Sequence, residues 1–172
     1  FPAADSLPDK FVDCLLTYED KRFFYHPGID PAAIFRAIRL NGKAGRVVSG
    51  GSTLTMQLAR IARGNQDRTF YEKTIEMCWA LFLETTYSKQ EILNLYASHA
   101  PFGGNVIGLE TAAWRYFGRS ASELSWAESA TLAVVPNSPA LIHPGRNRKQ
   151  LKEKRDRLLA SLQKKGVLEE TE

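Results

Sequence analysis

Apolar residues in this chain return every three or four positions, segment after segment, and nowhere alternate along a run long enough to build a sheet. Phe11, Cys14, Leu15 and Tyr18 share one helical face behind Pro8, a residue suited to a first helical turn. Pro31 opens a second stretch in which Ile34, Phe35 and Ile38 form one face and Arg36, Arg39 and Lys43 another; it closes on Gly42-Lys43-Ala44-Gly45, whose glycines permit a hinge. Gly50-Gly51-Ser52-Thr53 supplies a flexible approach and a hydroxyl N-cap for the helix through Leu54-Thr55-Met56-Gln57-Leu58-Ala59-Arg60. A long helix over 70–87 has an almost wholly apolar interior and reads as the buried central helix, with Lys73, Glu76, Ala80 and Leu83 on one face. Shorter helices follow over 89–97, 108–116 and 126–134, the last with Ser125 and Glu128 in a capping-box pattern. The pattern predicts a mainly α fold with at most a small hairpin near Arg46 to Ser49.

Composition narrows this further. At 172 residues, 44% hydrophobic and 24% charged, the chain has the make-up of one globular domain and can bury a core without disulfides or metal. The longest unbroken apolar run, Met77 to Leu83, is far shorter than the ~20 residues that span a bilayer. The first residues carry no signal-peptide pattern, so any anchor or targeting segment is expected to lie outside this chain. Cys14 and Cys78 lack metal-ligand spacing and sit in apolar stretches, which reads as two buried thiols.

The net charge of +4 is unevenly distributed. Residues 146 to 165 hold nine Lys/Arg against Glu153 and Asp156, around a stripe of Leu151, Leu158, Leu159 and Leu162; this reads as the solvated face of a helix. From Arg36 to Lys73 eight basic residues face only Asp67 and Glu72, interleaved with glycine and hydroxyl residues of the kind that cradle phosphates. That segment is expected to meet something anionic. Its basic amphipathic part, Ile34 to Lys43, also fits a membrane surface bearing anionic head groups, although a plain core-facing helix has the same pattern.

Two carboxylates stand out. Glu19 follows the first helix, where the carbonyl ends of the helix disfavour negative charge and push a carboxylate toward its neutral form. Glu76 lies on the apolar helix, three residues after Lys73. One carboxylate to deprotonate a hydroxyl, and cations with Ser, Thr and Gln to stabilise a departing charge, suit chemistry on a sugar with a phosphate leaving group. Other residues read as structural: His26 in the turn His26-Pro27-Gly28, Phe23, Phe102, Trp114 and Phe117 in the core, and Glu128 in its cap; His99 and His143 have no motif around them.

The stretch Glu19-Asp20-Lys21-Arg22-Phe23-Phe24-Tyr25-His26-Pro27-Gly28 resembles the first motif (E-D-x-x-F-x-x-H-x-G) of the peptidoglycan glycosyltransferases, glycosyltransferase family 51. Gly50 to Arg60 resembles the second motif, Lys73-Thr74-Ile75-Glu76 the core of the third, Ile92 to Gly118 the fourth, and Leu124 through Pro136 and Pro139 the fifth, all in order. The wording from Arg46 to Gln57 is similar to that in the 1C type of class A penicillin-binding protein. No transpeptidase domain or Ser-x-x-Lys nucleophile motif is recognisable, so a single domain over residues 1–172 is expected, with a jaw segment at about 31–49.

The resemblance implies a lysozyme-like, mostly helical fold at the outer face of the cytoplasmic membrane, polymerising lipid II into glycan strands. It implies that Glu19 is the general base, that the acceptor's 4-hydroxyl attacks C1 of the donor MurNAc with inversion, and that undecaprenyl pyrophosphate leaves. Glu76 would assist near the pyrophosphate, in some members with a divalent metal (Mg or Mn); no organic cofactor is implied. Lys73, Arg60 and Arg68 would hold the donor phosphates, with Gln57, Ser52, Thr53, Asp20 and Asn105 completing the substrate-binding set. The implied partners are lipid II, the lipid-linked glycan chain, the membrane surface and other cell-wall synthesis proteins. Two positions depart from the family's wording. Tyr96-Ala97-Ser98 replaces the usual Tyr-Leu-Asn, and Glu72 precedes Lys73 where an arginine is common. The rival readings are a non-catalytic lipid II-binding module and a wall-cleaving enzyme, whose Glu-Ser signature is missing because Asp20 follows Glu19. Nucleic-acid binding would rest only on a pI of about 9.1 and the C-terminal basic run, with no recognition module, and is not expected.

Overall fold

The computed structural model describes residues 7–46, 50–64 and 69–168. Among these the chain forms α-helices and short 3-10 turns and no strand beyond two isolated bridges, Pro101 with Ile107 and His143 with Arg146. The expected hairpin near Arg46 to Ser49 falls largely outside the described residues. The helices are α1 (Asp9–Glu19), α2 (Pro31–Ala44), α3 (Leu54–Ala62), α4 (Phe70–Thr86), α5 (Lys89–His99), α6 (Leu109–Phe117), α7 (Trp126–Val134) and α8 (Arg148–Lys164). Two compact units divide the chain: Phe1–Lys21 with Leu93–Glu172, and Arg22–Ile92.

In the first unit α7 is the centre. Its Ser125 N-cap accepts from the Glu128 N–H while the Glu128 carboxylate reaches back to Ser125, the reciprocal box expected from the sequence. Ala130, Leu132, Ala133 and Val134 are fully buried, and α1 and α8 pack on α7 and on each other. Phe11 and Leu15 of α1 and Leu162 of α8 fill the space, each such side chain stabilising by about 1.5–3 kcal/mol. Phe11 meets the ring of Phe102 at 6.5 Å. Burial pushes the Cys14 thiol up to about 12, so it is an inert core residue.

In the second unit α3 packs on α4. Asp30 caps α2 by accepting from the Ala33 N–H at 2.9 Å, with Pro31 at the first helical position. Gly45 ends the helix in the left-handed conformation, while Gly42 continues the helix rather than breaking it.

Several expectations about burial are corrected. Cys78 is exposed, not buried, and neither cysteine is paired. Along α4 only Glu76, Ala80 and Leu83 are buried, while Trp79, Leu81 and Phe82 are exposed, so it is not a central helix but one covered on a single side. Trp114 is 51% exposed, its indole N–H donating to Glu110 at 3.0 Å, which removes it from the core; Phe23 and Phe102 are buried as expected. On α2 it is Ala37 that is buried, whereas Phe35 and Ile38 are 70% and 66% exposed, which overturns the core-facing reading of that apolar face. Periodicity identifies an apolar face but not what covers it.

Candidate active site

The second unit brings a cation together with a hydroxyl and a carboxylate oxygen. Lys73, in the first turn of α4, donates from Nζ to Ser52 Oγ at 2.6 Å and to Glu76 Oε2 at 3.0 Å. Local sequence explains each position. Thr69 caps α4 by accepting from the Glu72 N–H, which starts the helix so that residues 73, 76, 80 and 83 fall on its buried face. Glu76 is only 5% exposed. A carboxylate so buried costs free energy unless it is paired, and the Lys73 ammonium supplies the charge.

Thr53 sets the other side. Its Oγ1 accepts from the Met56 N–H at 3.1 Å as the N-cap of α3, and donates to the Gly28 carbonyl at 2.6 Å. Thr53 therefore ties the Ser52 loop to the end of the first motif. Gly28 has φ +88°, and a Cβ there would lie 2.7 Å from the Ala80 carbonyl, so only glycine fits against α4. Gln57 is buried on α3 and Arg60 is half-buried on its last turn. Arg68 lies outside the described residues.

A second cluster holds the first motif. Lys89 Nζ donates to the His26 carbonyl and to Glu84 Oε1, both at 2.7 Å, and sits 4.3 Å from the centre of the Phe23 ring. Thr55 Oγ1 donates to the same Glu84 oxygen at 2.6 Å. This Lys89, Glu84 and Thr55 clasp has no counterpart in the reading of the sequence. Its one sequence signal is a Glu and a Lys five apart, a spacing that does not place them on one helical face. His26 is buried and edge-on to Phe23, in keeping with a structural residue. Burial alone would raise the Asp30 carboxyl, but the Arg22 guanidinium and the Ala33 N–H outweigh it and hold the carboxyl below its ordinary range.

Glu19 and Asp20 belong to the first unit. Glu19 is the last residue of α1 rather than one past it, and is half-buried; Asp20 is the C-cap and is buried. Burial first, and the charge of Glu19 second, push the Tyr18 phenol up to about 12. The loop carrying Asn105 is also in this unit. Tyr116 Oη reaches the carbonyls of Phe102 and Gly103 at 2.9 and 3.0 Å, and Asn105 is exposed with φ +63°, a turn residue of a type that tolerates that conformation.

The two departures from the family wording have local consequences. Glu72 accepts from Arg63 Nη1 at 2.5 Å, so it neutralises a cation of the α3 end instead of adding one. Ser98 is exposed, and its carbonyl lies close enough to Gly108 to exclude any Cβ there. For a metal the donor set is poor. No group of three His, Cys, Asp or Glu side chains that could hold an ion occurs among the described residues, and Glu76 already shares an oxygen with Lys73.

A family model described as Transglycosylase matches residues 1–163. The chain is 40% identical over 163 residues to penicillin-binding protein 1C of Escherichia coli K12, covering 95% of this chain and 21% of that protein. It is 36% identical over 168 residues to penicillin-binding protein 1A of Aquifex aeolicus, covering 98% and 23%, and 35% identical over 174 residues to penicillin-binding protein 1B of Escherichia coli K12, covering 99% and 21%. The chain thus spans about a fifth of the length of these curated relatives.

Proposed function

Because the chain belongs to the transglycosylase family, the lysozyme-like, mainly α glycosyltransferases of peptidoglycan synthesis, we propose that it polymerises lipid II into glycan strands with inversion at the donor sugar. Glu19 takes the proton from the acceptor's 4-hydroxyl; that oxygen attacks C1 of the donor MurNAc; the bond from C1 to the phosphate oxygen breaks and undecaprenyl pyrophosphate leaves. A positioned base contributes typically ~10²–10⁴ in rate. The observation that carries the reading is the Lys73 ammonium fixed between Ser52 Oγ and Glu76. A cation preorganised this way meets the growing charge of a diphosphate without having to reorient. Gln57 and Arg60 on the adjoining helix are the further candidates for the phosphates, with Arg68 as the remaining one.

Glu76 holds Lys73 in place and does not need to touch the reacting carbon. A divalent ion would have to draw most of its ligands from the substrate's own phosphate oxygens, as Mg²⁺ commonly does, and no step is assigned to it.

The same reading puts the domain at the outer face of the cytoplasmic membrane. No helix among the described residues is long and apolar enough to cross a bilayer. α2 instead exposes Phe35 and Ile38 beside Arg36 and Arg39, the make-up of a helix that lies in a lipid interface. Replacing Phe35 and Ile38 by serine should weaken binding to vesicles containing anionic lipid and leave the melting temperature unchanged.

The direct test is incubation of the purified chain with lipid II, comparing it with Lys73→Ala and Ser52→Ala. Polymer from the parent chain and at least a hundredfold less from Lys73→Ala is the expected result. Equal polymer from Lys73→Ala would remove the leaving-group role.

A further inference from the structure

Two charged residues of the second unit sit at the unfavourable ends of their helices. Glu84 is in the last turn of α4, where the carbonyl ends disfavour a carboxylate, and Lys89 is the first residue of α5, where the amide ends disfavour a cation. The Glu84 side chain is also only 8% exposed, so its charge is held away from water at a cost. Neither helix gains by this placement. It creates a junction instead: one oxygen, Glu84 Oε1, accepts from Lys89 Nζ at 2.7 Å and from Thr55 Oγ1 at 2.6 Å, and Thr55 is fully buried on α3. Three helices therefore meet at a single carboxylate.

From that junction a run of direct contacts leads to the cation of the candidate active site. Lys89 Nζ also donates to the His26 carbonyl at 2.7 Å. Two residues on, Gly28 is pressed against α4: a Cβ there would lie 2.7 Å from the Ala80 carbonyl oxygen and 3.0 Å from Glu84 Cγ. The Gly28 carbonyl accepts from Thr53 Oγ1 at 2.6 Å, and that hydroxyl accepts in turn from the Met56 N–H at 3.1 Å, so its proton and a lone pair are both committed. Ser52, the chain neighbour of Thr53, accepts from Lys73 Nζ at 2.6 Å. Every step is a hydrogen bond, a van der Waals contact or a link of one or two residues along the chain, and all of them lie within one unit.

We propose that Glu84 and Lys89 are positioning residues for the transfer reaction: by holding the His26 to Gly28 turn against α4 they fix Thr53, and with it the Ser52 hydroxyl that aims the Lys73 ammonium at the departing diphosphate. The inference rests on the reading of Lys73 as the cation that meets the leaving group. Neither Glu84 nor Lys89 touches substrate; both act on the rate through Ser52. A hydroxyl fixed by its surroundings holds the ammonium in place before the bond to the phosphate oxygen breaks, so no reorientation is needed at that moment.

A double-mutant cycle on kcat/KM for lipid II polymerisation tests it, because residues that act through one group are not additive, whereas independent ones are. Lys89→Met should lower kcat/KM by about threefold to tenfold in the parent chain, no more than Ser52→Ala itself does, and by less than about twofold in the Ser52→Ala chain, whose ammonium has already lost the hydroxyl. Lys89→Arg should recover most of the rate. The fall in melting temperature caused by Lys89→Met should be the same in both chains, so lost stability alone cannot imitate the cycle. Should Lys89→Met not stay folded at the assay temperature, Thr55→Val, which removes one hydroxyl from Glu84, carries the same cycle. Rate losses that multiply in the double variant, or the parent rate from Lys89→Met, overturn the proposal and leave the clasp a stabilising element only. Lys73→Ala separates the two layers. If that variant polymerises like the parent chain, the leaving-group reading fails and the positioning role with it; if it is inactive while the losses at Lys89 and Ser52 multiply, the positioning role alone is lost.

Discussion

The molecule contains two acid and cation pairs of opposite construction. Glu76 and Lys73 stand three residues apart on one helix, joined by a 3.0 Å hydrogen bond and completed by Ser52. Glu84 and Lys89 belong to successive helices, α4 and α5, and their 2.7 Å ion pair is completed by Thr55 of α3 and the His26 carbonyl. The first pair is made by helix geometry and positions a cation for a leaving group. The second is made by tertiary packing and holds the turn that carries His26. A pair on one helix keeps its geometry because both partners move together, whereas the second depends on how α3, α4 and α5 seat against each other.

Substitutions at Glu19 and at the first pair separate the base from the cation that meets the leaving group. Glu19→Gln, which keeps the shape and removes the basicity, should lower kcat by about 10²–10⁴ with little change in melting temperature, measured by lipid II turnover and by calorimetry. Lys73→Ala should cost ~10²–10³ in kcat/KM, and because it also strands the buried Glu76, its melting temperature should fall as well. Equal thermal effects of the two substitutions would break the contrast. Ser52→Ala removes one hydrogen-bond partner of the same ammonium and should cost less than tenfold in rate.

Structural pairs provide the controls. Lys89→Met strands Glu84, whose side chain is 8% exposed, and should destabilise the chain by about 3 kcal/mol in urea melts. The smallest effect is expected at Arg22 and Asp30, where the arginine side chain is 47% exposed. The Asp30 carboxyl is held below its ordinary range, so its contribution is complete above the carboxyl's unfolded value and fades as pH falls through the lower folded one. Asp30→Asn should therefore reduce stability slightly at pH 7 and leave it unchanged near pH 2, read from melts at both pH values.

The same division governs what could be read from the sequence. Ser125 with Glu128 announced the start of α7, Asp30 and Pro31 stand at the start of α2, and Lys73, Glu76, Ala80 and Leu83 fall on one face as their spacing requires. All of these depend on neighbours within one or two turns. The outer side of α4, with Trp79 and Phe82 exposed, and Cys78 beside them, escaped because apolar character does not say whether protein covers it. Trp114 escaped for the same reason, its indole answering to Glu110 on its own helix. The Lys89, Glu84 and Thr55 clasp escaped because its partners meet only once three helices are folded.

The most direct test of the account measures turnover and lipid II affinity together for Glu19→Gln. The account predicts binding close to that of the parent chain with polymerisation reduced at least a hundredfold. Polymerisation by Glu19→Gln at the parent rate would contradict it.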